Sequence, residues 1–306
     1  MKNIFKLIIL GLFALSCNSK IKDSETEVVV EKGTEIDDNI KTLKMKEPII
    51  GSWVGYFEDE NLENNNEKVI YADEGFGWYR ENKINITIER IVKDQVIGHS
   101  IVAGNKRPFK GNLKDKKFQV REPGDNKYDG EFNFEIINNK LVGRWTAFND
   151  IDIKNRNYSL EKKTFIYNPN ISLEKVSRYI DWNNYKEKKE KIVTEENEIE
   201  EWVTKEFSSA TESIYLINAS NKLLKKEDVE NLKKGDLKII RNTIYARHGY
   251  SFKNMPLRVF FDAQSWYIPM QIDIKSNLTR VEKENIKLLL RYEKNAVEYY
   301  DYFGRG

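Results

Sequence analysis

The sequence predicts an α+β chain of several domains: an antiparallel β-barrel or sandwich, a charged, partly helical linker, and a small all-α domain. Three observations predict it. Short alternating runs rich in β-branched and aromatic residues fill residues 47–168, capped helical periods fill 218–300, and a polar, charge-dense stretch lies between them.

The chain begins with a leader. Lys2 and Lys6 are followed by the uncharged run LIILGLFAL (7–15), and Ser16 stands directly before Cys17. This is the anatomy of a secretory signal, and it is shorter than the roughly 20 apolar residues that cross a bilayer. Cys17 is the only cysteine, so no internal disulfide is expected. ALSC (14–17) resembles the bacterial lipobox, although Leu15 falls one place late and Ala14 holds the position usually given to leucine. The resemblance implies that residues 1–16 are removed, that Cys17 is lipidated, and that the membrane is reached through that lipid. The expected location is the cell envelope, in the periplasm or at the outer-membrane surface. Without Lys2 and Lys6 the charges balance, 49 basic against 49 acidic. A neutral chain lacks the field that nucleic acid selects, which excludes that class of partner.

Residues 17–46 are polar and contain no aromatic residue, so they cannot bury enough surface to offset ordering entropy and are expected to serve as a tether. Residues 47–168 then read as eight or nine strands. The runs are IIGSWVGYF (49–57), INITIERIV (84–92), QVIGHSIVAG (95–104), GEFNFEII (130–137), LVGRWTAF (141–148) and YSLEKKTFIY (158–167). Turns are expected at KDQ, GNKRP, KDKK, PGDNK, NNK and DIDIKNRN. Strands at this spacing without helices form a meander, and closing it into a barrel removes the exposed edges. The Gly51-Ser52-Trp53 triplet is similar to the first strand of lipocalins and other calycins, and Gly143-Arg144-Trp145 echoes it. That likeness implies a tryptophan plugging one barrel end. His99 reads as an ordinary strand residue, and GFGWY (75–79) as either an aromatic loop at a barrel mouth or a buried strand or turn.

Residues 169–217 form the linker. Ser172 is placed to cap a helix carrying Leu173, Val176 and Ile180 on one face, and KEKKEKIVTEENEIEEW (186–202) reads as a solvated helix surface or linker.

From 218 onward the helical signals are stronger. A short helix is expected at 224–232. Asp236 is placed at the N-cap of the next, with Leu237, Ile240 and Ile244 on one face and Gly249 ending it. Pro256 opens a helix over 256–267, and Thr279 with Glu282 makes a capping box before VEKENIKLLLRYE (281–293). RNTIYARHGYSF (241–252), FFDAQSWYIP (260–269) and EKENIKLLLRYE (282–293) resemble, in order and spacing, the YARHG domain. Thr243 departs from it, since an acidic residue is commoner there. The resemblance implies an extracytoplasmic bacterial module and implies no enzyme activity.

Two readings of the signature stay open. In the first, Arg247 and His248 satisfy the end of their own helix, Arg241 pairs with a carboxylate of the last helix, and Trp266 and Tyr267 cover the core. In the second, Arg241, Tyr245, Arg247, His248 and Trp266 form a pocket for an anionic or sugar-containing ligand. The two histidines fall in different domains, and no paired metal-ligand spacing, nucleophile elbow or phosphate loop is present in the sequence. No catalytic residue, metal or cofactor is therefore assigned. The expected function is a non-enzymatic lipoprotein that binds or scaffolds an envelope glycan, peptidoglycan or protein. The alternative is an envelope hydrolase using His248 with a carboxylate brought near by folding.

Overall fold

Side chains alternate between the two faces of a strand, and the first domain follows from that period. The computed structural model describes residues 49–63, 69–73, 76–79, 81–193 and 199–296. The expected leader, Cys17 and the expected tether lie outside the described residues. Eight strands close an antiparallel barrel: β1 (Gly51–Asp59), β4 (Asn82–Val92), β5 (Gln95–Val102), β6 (Asn105–Lys114), β7 (Lys117–Arg121), β8 (Gly130–Ile137), β9 (Lys140–Ala147) and β10 (Asn155–Lys163). Each pairs with the next, and β10 returns to β1. Between β1 and β4 a separate two-stranded sheet, β2 (Val69–Asp73) with β3 (Phe76–Tyr79), is inserted, so residues 76–79 of GFGWY are strand.

Three hairpins turn tightly. Ala103–Gly104, Asp115–Lys116 and Asn138–Asn139 all have positive φ at both residues, as type I′ turns require. Ile84, Ile86 and Ile88 point inward at 0% exposure, among a layer of Phe57, Phe132, Trp145 and Tyr158 whose rings lie 5.5–6.4 Å apart. Trp53 is buried, and its Nε1 donates to the Ile49 carbonyl at 2.9 Å, at the end of the barrel away from that layer.

Three barrel segments differ from expectation, the first being the end of DIDIKNRN, where residues 155–157 already belong to β10. Only Gly104 of GNKRP is turn; residues 105–108 are strand, because they pair with β5 from Val102 back to His99. At Pro108 the sole strand neighbour is β5, so the missing N–H needs no second partner. The run 158–167 leaves the sheet at Lys163, and Tyr167 belongs to the helical domain's surroundings.

The charged linker is mostly strand. Residues 172–179 have no regular structure, a hairpin of β11 (Ile180–Val193) and β12 (Ile199–Ser209) follows, and the only helical piece among the described linker residues is a 3-10 turn at Glu212–Tyr215. Cross-strand register explains the choice: Lys191 faces Glu201, Glu187 faces Lys205 and Lys186 faces Glu206, so opposite charges meet across the strands. The hairpin base belongs to the helical domain, since Tyr179 is 1% exposed within its core and Lys238 pairs with Asp181 at 2.7 Å.

The helices are α1 (Lys226–Val229), α2 (Lys234–Arg247), α3 (Met255–Asp262) and α4 (Arg280–Asn295). Leu237, Ile240, Ile244, Phe260, Phe261 and Leu289 make their shared core. Asp236 is not the N-cap. Helix α2 begins earlier, at Lys234, and Asp236 sits in its first turn, accepting from the backbone N–H of Lys233 and of Thr211. Gly249 ends α2 at φ +72°, as expected. Helix α3 stops at Asp262 rather than 267, and Asn254 caps it. No helix among the described residues is long and apolar enough to cross a membrane.

The outer face of β4 meets the helical domain. Lys83 and Asn85 point away from the barrel interior yet are buried. Lys83 Nζ donates to the carbonyls of Gln264 (2.8 Å) and Tyr267 (3.1 Å), and its backbone N–H to Asp262 Oδ2 (3.0 Å). Asn85 Nδ2 donates to the Pro269 carbonyl at 3.0 Å, and the Gly104 N–H to Ser251 Oγ at 2.9 Å. Most of FFDAQSWYIP is therefore a docking segment for the barrel.

Candidate functional site

The last turn of α2 carries the signature, and its charges are spent inside the protein. Arg247, 4% exposed, donates through Nε and Nη2 to the Ile171 carbonyl (3.0 and 2.8 Å) and through Nη1 to Ser220 Oγ (3.1 Å). Burial pulls its pKa down to about 10. His248 Nε2 lies 2.8 Å from Glu282 Oε2, and the Tyr167 ring stacks on its imidazole at 4.3 Å. Burial alone would raise the Glu282 carboxyl. Donors from His248, the Thr279 backbone and Ser220 outweigh it and hold the group at about 2. Burial and that same carboxylate push Tyr167 up to about 12. Arg247 and His248 thus hold neighbouring segments rather than the carbonyls of their own helix.

The other signature residues lie elsewhere. Arg241 makes a bidentate pair with Glu293 of α4 at 2.7 and 2.9 Å, the pairing expected from the sequence. Arg241 and Tyr245 line an open groove of about 650 Å³ with Lys238, Tyr250 and Lys253. Trp266 packs edge-on against Tyr267, and its buried Nε1 has no hydrogen-bond partner among the described residues. The five residues do not converge on one pocket. His99 is a buried strand residue on the outer barrel face, 2.6 Å from Glu89. Among the described residues no group of His, Cys, Asp and Glu is arranged to hold a metal.

A better enclosed site lies at the barrel mouth, which the helical domain borders. Its volume is about 630 Å³. The floor is Phe57, Phe132 and Trp145. Above them, at positions that share the inward face with Phe109, Val120, Tyr158 and Val96, stand Arg107, Glu122, Arg156 and Ser100. Arg258 of α3 borders the cavity from the helical side. Glu122 accepts from the Gly130 N–H (2.8 Å), Trp145 Nε1 (3.3 Å) and Ser100 Oγ (3.1 Å). Burial exceeds those donors and lifts its pKa to about 7. Arg156 donates to the Phe57 carbonyl at 2.9 Å with its guanidinium over the Phe57 ring, and Arg107 lies 3.4 Å from Asp129 and 3.6 Å from Asp125. The cavity therefore offers cationic forks beside aromatic faces, a recognition chemistry. Sequence reading passed over Arg107 and Arg156 because it took GNKRP and DIDIKNRN for turns. The available signal was strand parity, which puts Arg107 and Arg156 on the core-facing side of otherwise apolar rows.

Residues 212–294, about a quarter of the chain, match the family model of the YARHG domain. The helical region is thus a YARHG domain following an eight-stranded antiparallel barrel. No curated protein and no solved structure matches the chain.

Proposed function

We propose that this chain is an envelope lipoprotein, held by lipid on Cys17 and a polar tether, whose barrel and YARHG domain act together as a binding module. The observation that carries this reading is the barrel-mouth cavity, because residues of both domains line it: Phe57, Glu122 and Trp145 from one and Arg258 from the other. The ordered polar seam at Lys83, Asn85 and Gly104 supports it by fixing how the two domains meet. Pre-formed concave sites lined by aromatic groups and a few placed charges are the usual form of ligand pockets. The partner is an envelope molecule, a glycan, peptidoglycan fragment or protein. Native purification of the acylated protein from envelope extracts, followed by mass spectrometry, tests both parts. The expected result is a lipid-modified Cys17 terminus with a co-purifying envelope component; an intact Met1 and no such component would overturn the proposal.

Folding does bring a carboxylate to His248, which is the one observation favouring a hydrolase. The pair is sealed, with side chains 4% and 0% exposed and Tyr167 stacked over the ring. A general base must reach the proton that it abstracts. If His248→Ala abolished turnover of isolated cell wall while the protein stayed folded, the binding reading would give way to that one.

A further inference from the structure

Arg258 is the unexplained charge in this molecule. It is partly buried on α3, and among the described residues its guanidinium makes no hydrogen bond or ion pair, Asp262 acting on it only at longer range. Asp262 lies one turn further along the helix, but its carboxylate receives the Lys83 backbone N–H on the other side of the seam. Every other buried arginine described above is engaged. Arg241 meets Glu293, and Arg247 meets Ile171 and Ser220. Partial desolvation of an unbonded cation is unfavourable, and it lowers the pKa of Arg258 against the opposing influence of Asp262. What Arg258 does face is the barrel-mouth cavity, together with Arg107 and Arg156. Arg107 sees its acidic neighbours only at 3.4 Å or beyond, outside good hydrogen-bond range, so donors remain on that group too.

The acidic groups in the same space are Glu122 and Asp152. Glu122 is committed to Gly130, Trp145 and Ser100. Arg107 is shared with Asp125 and Asp129, and Arg156 is held by the Phe57 carbonyl and ring, so Arg258 is the lining guanidinium best placed to take an added anion. Below them the floor is wholly aromatic, with Phe57, Phe132 and Trp145. A cation would meet the arginines, and a polar neutral sugar would leave Arg258 unpaired. An anion on its own would leave the ring faces wet. Each alternative wastes one half of the site.

We propose, resting on the binding reading above, that the barrel mouth takes a ligand in which an anionic group is joined to an apolar or aromatic body. The body lies on Phe57, Phe132 and Trp145. The anion is clamped by Arg258 from the helical domain against Arg107 and Arg156 from the barrel. Affinity then depends on the two domains being docked, since the clamp is split between them.

A matched pair of fluorescent probes tests this on the purified chain: 8-anilinonaphthalene-1-sulfonate, and neutral N-phenyl-1-naphthylamine, which has the same rings without the sulfonate. The expected result is one-to-one binding of the anionic probe, about tenfold or more tighter than the neutral one, as a charge-assisted clamp predicts. Energy transfer from the six tryptophans to the bound probe should fall clearly in Trp145→Phe, since Trp145 is the donor that lines the cavity. Arg258→Met should remove most of the tenfold preference and leave the neutral probe within about twofold. Arg107→Met, in the other domain, repeats the test should Arg258→Met unfold the helical domain. Equal affinities for both probes, or a preference untouched by both arginine variants, would overturn the anion clamp while leaving a binding cavity in place. Absence of one-to-one binding by either probe would overturn the cavity reading with it.

Discussion

The YARHG signature and the barrel mouth both bury arginine and glutamate, and they treat them in opposite ways. At the signature each charge finds a protein partner: Glu282 collects His248, Tyr167 and its own helix cap and stays at a pKa of about 2. At the mouth Glu122 is lifted to about 7, and Arg258 has no protein partner among the described residues. Charge that is consumed internally holds segments together, whereas charge that faces a cavity is available to something else. The most recognisable residues of the chain are thus its fasteners. The candidate ligand contacts are residues with no motif at all.

This contrast can be broken most severely at Glu282. Glu282→Ala strips the partner from His248 and Tyr167 together with the α4 capping box. Removing one member of a buried pair typically costs about 3–5 kcal/mol, and urea unfolding should show a loss of that size. A loss below about 1 kcal/mol, ordinary for a surface site, would make the signature something other than a fastener.

Glu122 gives the next effect, through pH. Its folded-state pKa is raised from 4.5 to about 7, so the folded form holds the proton more tightly than the unfolded chain does. Its contribution to stability is full below the unfolded value and is lost as pH rises through about 7, by up to about 3 kcal/mol for a shift of this size. Asp262 is raised to about 7 as well and falls in the same window. The Glu122 share is isolated by comparing Glu122→Gln with the parent protein. The variant should show a flatter stability profile between pH 5 and 8 and a higher midpoint at pH 8. Identical profiles would mean that Glu122 is ionised when buried.

A smaller effect is expected at the domain seam. Gly104 has φ +73°, and a β-carbon there would lie 2.2 Å from the Lys253 side chain. Gly104→Ala should cost about 1–3 kcal/mol and raise hydrogen exchange in residues 262–270, which dock on β4. Unchanged exchange there would show that the domains do not depend on this contact. The smallest effect belongs to the half-exposed pair of Arg144 and Glu60. Arg144→Ala should shift stability by about 0.5 kcal/mol or less, since surface pairs contribute little; a larger shift would mean that the outer barrel wall is under more constraint than its exposure suggests.

Local patterns carried far in this chain. Alternation at Ile84, Ile86 and Ile88 and the paired Gly-x-Trp strands announced a barrel, and Gly249 and the Thr279–Glu282 box marked helix ends, because each depends on neighbours within a few residues. The linker was misread for the same reason. Its blocks of Lys and Glu satisfy helical spacing as well as cross-strand pairing, and only the β11–β12 register chose between them. Lys83 and Asn85 look like solvent-facing strand residues, and their burial is decided by a segment about 180 positions away.

By itself the sequence determined the barrel-then-helix order, the strand period, the helix ends at Gly249 and at the Thr279–Glu282 box, and the family of the last domain, all of them readable from short-range patterns. Tertiary structure alone decided that the signature cations face inward, that the barrel mouth borders α3, and that Arg258 stands there with no hydrogen bond or ion pair among the described residues. The physical reason is that a partner is a matter of distance in space. Two residues 151 positions apart, such as Arg258 and Arg107, carry no mark in the sequence that they line the same cavity.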